Sequence, residues 1–581
     1  MIEKTSQLFS GENKSRNMII AGCIGLLVLT CCCLVAVGVI VGLDPFKLNL
    51  VARLTGRYDP ILNVMPANTG MYITMDLLQL TGNDSRQLVR TFQPAAPETP
   101  GQEMETVLQD LDTQLSEAVG ITFTGDIMPW VGRRAGVGIT HLYFDAFGEP
   151  DQADWVFVAE IRDQTAFESF LVKFQQGIEN NLGERFVQET YQDGTIWAIA
   201  VGDETDQIAM AQTTNLFFIS QTVQPIKDAL DAQKGTSLAD SKIYAELVAD
   251  LPNNRVITLF MDGAFLLDLV KNLPDSGLNA PQLNSLDGWQ GMSASLALVE
   301  VGVQLDAFYS FDPAQMTDIQ RQMLDNMLTE PQLANRLPQN TLGVVNGQGL
   351  NTLWSNAETQ MAGIPEGADF QEAVALLEDM LGIDVDTDLF ALLDGEYALA
   401  LLPAADGALA QGGVNLGIIF LAQTSSPDAM NTTLEKINPF LADNLDMSPQ
   451  TAQINGQTVY FVGDPFQDVE FLAYGVVDSH LNIASSTTVI QNTFSGGAAL
   501  ANADRYKTVW NAFPAGMRPV FYFDQEGIFN TVREGLTDSG QTSFDEAVKN
   551  FKPVQFISAA MQYRDKGLMR MTMIAVIEKS E

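Results

Sequence analysis

The sequence predicts an α+β protein: an N-terminal transmembrane helix followed by two tandem copies of an antiparallel sheet-plus-helices domain. Three observations predict it. One uncharged apolar run, Met18–Leu43, is long enough to span a bilayer. Beyond it, tight-turn dipeptides recur between short apolar segments, which signals hairpins and hence antiparallel pairing. Turn, helix and strand signals also repeat in the same order in the two halves of the remaining chain.

Residues 1–17 read as a short cytoplasmic tail carrying Lys4, Lys14 and Arg16. Residues 18–43 are 26 positions without a charge. At about 1.5 Å per residue they make about 39 Å of helix, enough to cross a hydrocarbon core of about 30 Å. The run passes straight into Asp44 and Pro45, with no small-residue cleavage region, so it reads as an uncleaved signal anchor. Gly38 and Gly42 form a G-x-x-x-G spacing, which offers two such helices a route to self-association. Lys47, Arg53 and Arg57 follow the helix, so basic residues flank both sides. The short tail before the helix and the long acidic region after it place the N-terminus inside and the bulk of the chain outside the cytoplasm. Residues 44–60 are a juxtamembrane linker.

All four cysteines, Cys23 and Cys31–Cys33, lie in the first 43 residues. The large region therefore has neither disulfides nor a thiolate metal site, which suits a bacterial envelope protein. Net charge is −41, and since residues 1–43 carry +1, the remainder carries −42. A surface this negative repels phosphate backbones, so nucleic acid is not an expected partner. Two histidines, His141 and His480, are too few for a three-histidine or H-E-x-x-H zinc site.

The duplication is read from paired motifs. Met65-Pro66-Ala67-Asn68-Thr69 returns as Leu337-Pro338-Gln339-Asn340-Thr341. A helix at Met104–Val119, closed by Gly120, returns as Phe370–Leu381, closed by Gly382. Strands at Ala135–Tyr143 and Glu396–Leu402 follow. Next, Trp155–Val158 runs into a capping box at Thr165 and Glu168, and Leu416–Leu421 into an N-cap at Ser426 with Pro427 behind it. Hairpins turn at Asp193-Gly194 and Asn455-Gly456. Asp262 and Asp524 each follow an apolar strand as helix N-caps, and closing hairpins turn at Gly302 and Gly567. Most pairs stand 262 apart but the first stands 272 apart, so the first copy carries about ten extra residues, placed at Pro94–Gly101. The copies are residues 61–315 and 337–581, each with about eight strands and three or four helices. Residues 316–336 connect them; a helix at Pro313–Leu328 with Asp312 as N-cap reaches into this stretch.

Motifs that could carry chemistry are few. Asp384, Asp386 and Asp388 alternate like the opening of a calcium loop, but the sixth and twelfth places hold Leu389 and Gly395 instead of Gly and Glu. They are weak metal candidates, and capping explains them better. Gly347-Gln348-Gly349 lacks the third glycine of a dinucleotide fingerprint, and neither a serine elbow nor a phosphate loop is present. His141 and His480 read as structural histidines, and Trp130, Trp155 and Trp197 as core. Catalytic and cofactor-binding residues are therefore expected to be none, with no cofactor.

The short tail, single membrane helix, P-x-[NG]-T opening and duplicated α+β halves resemble the uncharacterised bacterial DUF family numbered 3352, over most of residues 61–581. The resemblance implies an envelope setting and supplies no reaction and no catalytic residues. The expected function is a non-enzymatic, membrane-tethered extracytoplasmic module that binds or scaffolds an envelope protein or ligand. One alternative is a lipid or small-ligand carrier with a pocket between sheet and helices. Another is a hydrolase with a scattered carboxylate site.

Overall fold

The computed structural model describes residues 59–80, 102–144, 150–192, 194–201, 207–272, 288–362, 367–444, 447–464, 469–549, 551–564 and 567–578. The apolar run Met18–Leu43, expected to cross the membrane, with Gly38, Gly42 and the four cysteines, lies outside the described residues, as do Pro94–Gly101 and Asp193. Among the described residues no helix is long and apolar enough to cross a membrane.

The first half supplies ten strands: β1 (Met71–Asp76), β2 (Val131–Phe144), β3 (Pro150–Ile161), β4 (Val187–Tyr191), β5 (Gly194–Ala200), β6 (Gln207–Gln212), β7 (Leu216–Ser220), β8 (Arg255–Asp262), β9 (Trp289–Val299) and β10 (Gly302–Phe311). The second supplies β11 (Gly343–Gln348), β12 (Glu396–Pro403), β13 (Leu416–Gln423), β14 (Gln450–Ile454), β15 (Gln457–Asp464), β16 (Val469–Val477), β17 (His480–Ala484), β18 (Arg518–Asp524), β19 (Val554–Arg564) and β20 (Leu568–Ile577). All pairings are antiparallel, and they join every strand into one sheet. Its order is β4-β5-β6-β7-β3-β2-β1-β8-β9-β10, then β20-β19-β18-β11-β12-β13-β17-β16-β15-β14. The second run is the first reversed, with ten added to each number. The seam is β10 against β20, where Asp306 faces Thr572 and Ala307 faces Met571. Among the described residues each half has ten strands, where the patterning predicts about eight. The additional ones include short apolar segments such as β7, buried throughout, which carry no alternation to announce them.

Paired motifs occupy matching places. Thr69 and Thr341 are buried, and each donates its hydroxyl to the carbonyl of the proline three residues earlier, at 2.7 Å. Pro66 and Pro338 form isolated bridges to Ser237 and Ala499. The motif is thus a locked turn in front of β1 and β11. Helices Gln102–Val119 and Gly367–Leu381 end at Gly120 and Gly382 with φ of 72° and 66°, the left-handed cap that glycine provides. Each is followed by a π-helical turn, Phe123–Ile127 and Val385–Leu389, an uncommon conformation found twice at corresponding positions.

Three local expectations shift. Tyr191 pairs with Gly194, so the first hairpin turns before Gly194, which opens β5. Gln192 takes the positive φ, 52°, matching Asn455 at 52° in the second hairpin. The helix after β3 starts at Gln164 with Asp163 as its cap, accepting from the Ala166 amide at 3.0 Å; Thr165 falls inside the first turn. The helix before the second half is Asp318–Leu328, because Asp312 instead closes a turn onto the Ala314 amide at 2.9 Å.

The sheet has two unlike faces. One is sealed along its length. In the first half Tyr72, Phe260 and Phe308 are buried beneath helices Val223–Lys234 and Lys242–Val248. In the second, Tyr522 and Ile574 lie beneath Thr487–Phe494 and Asp504–Trp510. The other face is covered toward its ends, by Gln164–Leu182, whose Phe167 packs against Trp130 and Phe217, and by Pro427–Asn444 over Ala422 and Tyr474. Its middle is open.

Candidate ligand-binding groove

The open middle is apolar. Register carries one row of side chains across six strands: Leu399, Val345, Phe521, Ala559, Met573 and Leu305. Leu399, Val345 and Leu305 are 47%, 46% and 45% exposed, so these members of the row meet water, while Ala559 between them is buried. On the sealed side of the same strands, Ala400, Val344, Tyr522 and Ala560 are buried. These strands are apolar on both faces, and only one face is fully covered.

A cleft of about 390 Å³ lies over the middle of this row, at Val345, Phe521, Ala559 and Met573, roofed by Asn326, Thr329 and Pro331 from the connecting segment and by Thr352 and Leu353 of helix Leu350–Met361. Its floor includes Phe521, Met561, Met571 and Met573. Methionine is flexible and polarisable and accommodates varied apolar shapes. At one end stands Tyr397, paired with Gly347 across β12 and β11. A Cβ on Gly347 would come within 2.4 Å of the Tyr397 hydroxyl, so the missing side chain is what lets the ring lie there. Gly349, at φ 68°, leaves the same kind of room for Asn326. The two glycines of Gly347-Gln348-Gly349 therefore shape a cleft rather than a phosphate turn. Half-buried Tyr397 has its pKa raised by desolvation, so the phenol is a proton donor at neutral pH. Among the described residues its hydroxyl makes no hydrogen bond.

The cleft is also electrostatically distinct. Among the described residues nineteen line it; none of these is Asp or Glu, and one, Arg518, is cationic. The whole chain carries 72 acidic residues against 31 basic ones.

The sequence candidates lie elsewhere. Asp384 accepts from the Thr387 amide at 2.8 Å, Asp386 from the Trp354 indole at 2.5 Å, and Asp388 from the Lys436 ammonium at 2.7 Å. Hydrogen bonds from Thr387 and Lys436 hold the Asp384 and Asp388 carboxyls below their ordinary range. Asp126 accepts from Lys173 in the matching π-turn of the first half, so this is a repeated structural contact. Among the described residues no group of three or more His, Cys, Asp or Glu is placed to hold a metal. His480 is buried, with Nδ1 2.7 Å from the Asp478 carbonyl, and burial lowers its pKa. His141 is exposed and stacks edge-on to Tyr143. Asp262 and Asp524 cap their helices, on the Ala264 amide at 2.9 Å and the Gly527 amide at 2.8 Å. Trp130 and Trp155 are core, and Trp197 packs against it.

Sequence reasoning did not find Tyr397, the methionines or the cleft. The signal that pointed the other way is the alternation Met569-Arg570-Met571-Thr572-Met573. Read normally, it buries the methionines. The structure buries Arg570 and Thr572 and turns the methionines to the open face. The reversal is possible because Asp306 on β10 receives the buried polar groups. Its carboxylate accepts from Arg570 at 3.1 and 2.6 Å, from Thr572 at 2.6 Å and from Gln304 at 2.6 Å.

No curated protein matches the chain. Among solved structures, crystal form III of TP0453 is similar at 9% identity and a TM-score of 0.22, over 46% of this chain and 86% of its own. Crystal form I of TP0453 is similar at 10% identity and a TM-score of 0.22, over 45% and 82%. The family described as "Protein of unknown function (DUF3352)" matches residues 58–575.

Proposed function

Since the chain belongs to the DUF3352 family, whose own description assigns no activity, we propose a function from the groove: a non-enzymatic, membrane-tethered extracytoplasmic module that holds an apolar ligand over its open sheet face. On this reading residues 18–43 are the tether, and residues 61–315 and 337–581 are tandem copies of one unit, a division supported by the shared strand order.

The observation that carries the proposal is the cleft of about 390 Å³. That volume is within the ordinary range of small-ligand sites, about 300–1,000 Å³. Covering the exposed half of Val345, which lines the cleft, would yield about 1 kcal/mol at ~25 cal/mol per Å². Against a hydrolase stand the buried carboxylates, each engaged away from the cleft. Asp76 is held by Arg133 at 2.9 and 2.6 Å, Asp524 by Arg505 at 2.8 and 2.7 Å, and Glu396 by the Gln332 and Leu333 amides.

The test is to purify the full chain in native-membrane nanodiscs and treat it with a diazirine-bearing hydrocarbon probe. Cross-links mapped by peptide mass spectrometry should concentrate in residues 554–577 and fall sharply in Val345→Asp. Labelling spread evenly over the surface, unchanged by that substitution, would refute the reading.

A further inference from the structure

We infer that helix Gly367–Leu381 of the second half docks a cationic amphipathic helix of a partner protein along a stripe of Ala373, Leu376 and Met380. Leu376 and Met380 are 60% and 46% exposed, and Leu377 beside them 44%. At about 3.6 residues per turn, Ala373, Leu376 and Met380 share an arc of about 60°. Leu377, Val374 and Leu381 continue that arc by about another 100°. Val374 and Leu381 are half-buried, so one side of the apolar arc is packed and the other stands in solvent. The stripe is separate from the groove, since none of its residues lines the cleft.

The first half shows what such a stripe replaces. Helix Gln102–Val119 holds the matching place, aligned by the closing glycines Gly120 and Gly382. There Gln114 and Ala118 stand in the positions of Leu376 and Met380, and Leu115, in the position of Leu377, is only 6% exposed. Helix Gln164–Leu182 comes so close to Val119 that a Cβ at Gly177 would run into its carbonyl oxygen. Lys173 and Lys436 reach Asp126 and Asp388 in the two π-helical turns, which aligns that helix with Pro427–Asn444. Four residues further on, Gly177 is answered by Phe440. A phenyl ring cannot enter a contact that excludes a methyl group. The close seam beside Leu115 is therefore barred to Leu377, and among the described residues the apolar stripe is left open.

Charge selects the occupant. The helix carries Asp369, Glu372, Glu378 and Asp379 and no basic residue. Glu372 and Asp379 are exposed and lie within about 60° of Leu376, on the side away from the packed arc. Against a second copy or an anionic lipid surface these carboxylates would meet like charge. A partner helix with apolar residues at i, i+3 or i+4 and i+7, flanked by Lys or Arg, matches both the stripe and its rim.

The test uses the full chain in phosphatidylcholine nanodiscs and a fluorescent peptide helix with leucine along one face and lysine along the other. Its comparisons are a scrambled version, which keeps the charge and loses the face, and a leucine–glutamate version, which keeps the face and reverses the charge. The leucine–lysine helix should bind about tenfold tighter than either, or better. Leu376→Gln with Met380→Ala installs the first half's own residues at matching places. It should weaken binding about tenfold, because covering two half-exposed side chains of this size is worth roughly that factor. Glu372→Gln with Asp379→Asn should also weaken binding and flatten its salt dependence. Thermal melts of both variants should match the parent. Scrambled or leucine–glutamate peptide binding as well as leucine–lysine, or binding unchanged by either variant, would overturn the inference. A concentration-dependent dimer of the parent, abolished by Leu376→Gln with Met380→Ala, would give the stripe to a second copy and overturn it as well.

Discussion

Replacing Arg570 with methionine should destabilise the protein through the charge it leaves behind. Arg570 and Asp306 have 7% and 0% of their side chains exposed. The guanidinium makes two of the four hydrogen bonds on the carboxylate, and it also lies 5.2 Å from the centre of the buried Phe308 ring. Arg570→Met keeps most of the packing but leaves a buried anion served by Thr572 and Gln304 alone. Breaking one side of a buried pair costs about 3–5 kcal/mol, whereas replacing both partners by apolar groups is often near neutral. Arg570→Met should therefore lower the melting temperature by about 10 °C for a unit of roughly this size. Asp306→Leu combined with Arg570→Met should recover most of that loss. Tryptophan fluorescence of the full chain in nanodiscs would follow the melt, with Trp289 on the strand beside β10 as a nearby reporter. A single variant that melts like the parent, or a double variant no better than the single, would refute the reasoning.

Other outcomes are equally specific. Gly347→Ala should cost about 1–3 kcal/mol by overpacking against Tyr397, and Tyr397→Ala in the same chain should remove that cost; two independent, additive losses in denaturant melts would contradict the contact geometry. Thr69→Val and Thr341→Val should each cost about 1 kcal/mol, the loss of one buried hydrogen bond, with similar effects in both halves. Burial lowers the His480 pKa, so below about pH 6.5 the unfolded chain binds more protons than the folded one. The stability contributed by neutral His480 is complete above that pH and is lost as pH falls through it, so the melting difference between parent and His480→Gln should depend on pH there and be flat above pH 7 or so. Gln192→Gly should stabilise by about 0.5–1 kcal/mol, because a residue with a side chain now holds φ 52° in a two-residue turn.

Much of the local structure was legible because it depends on residues a few positions apart. Gly120 and Gly382 announce left-handed caps, Asn455-Gly456 a tight turn, and Ser426-Pro427 a helix start, and each appears where expected. The class, α+β with an antiparallel sheet, follows from such signals. The groove was illegible because two long-range facts create it. β20 reverses its apparent polarity only because Asp306, 264 positions before Arg570, waits on the neighbouring strand. Tyr397 becomes a feature of a cleft only when Gly347 stands opposite it and the segment around Asn326 passes above. Alternation reports that a strand has two unlike faces; which one meets water is decided by what packs there.

The seam between β10 and β20 also bears on assembly. β10 is ten residues long, and its partner strand supplies the pairing that edge would otherwise seek. Two separate chains could meet through such matching edges only at a rate and extent set by their concentration. Carrying both edges on one polypeptide makes the encounter intramolecular, so the seam closes at any dilution. It also removes the demand that both sides be alike: Asp306 can hold the acid and Arg570 the base, a division of labour that a pair of identical edges would have to present twice.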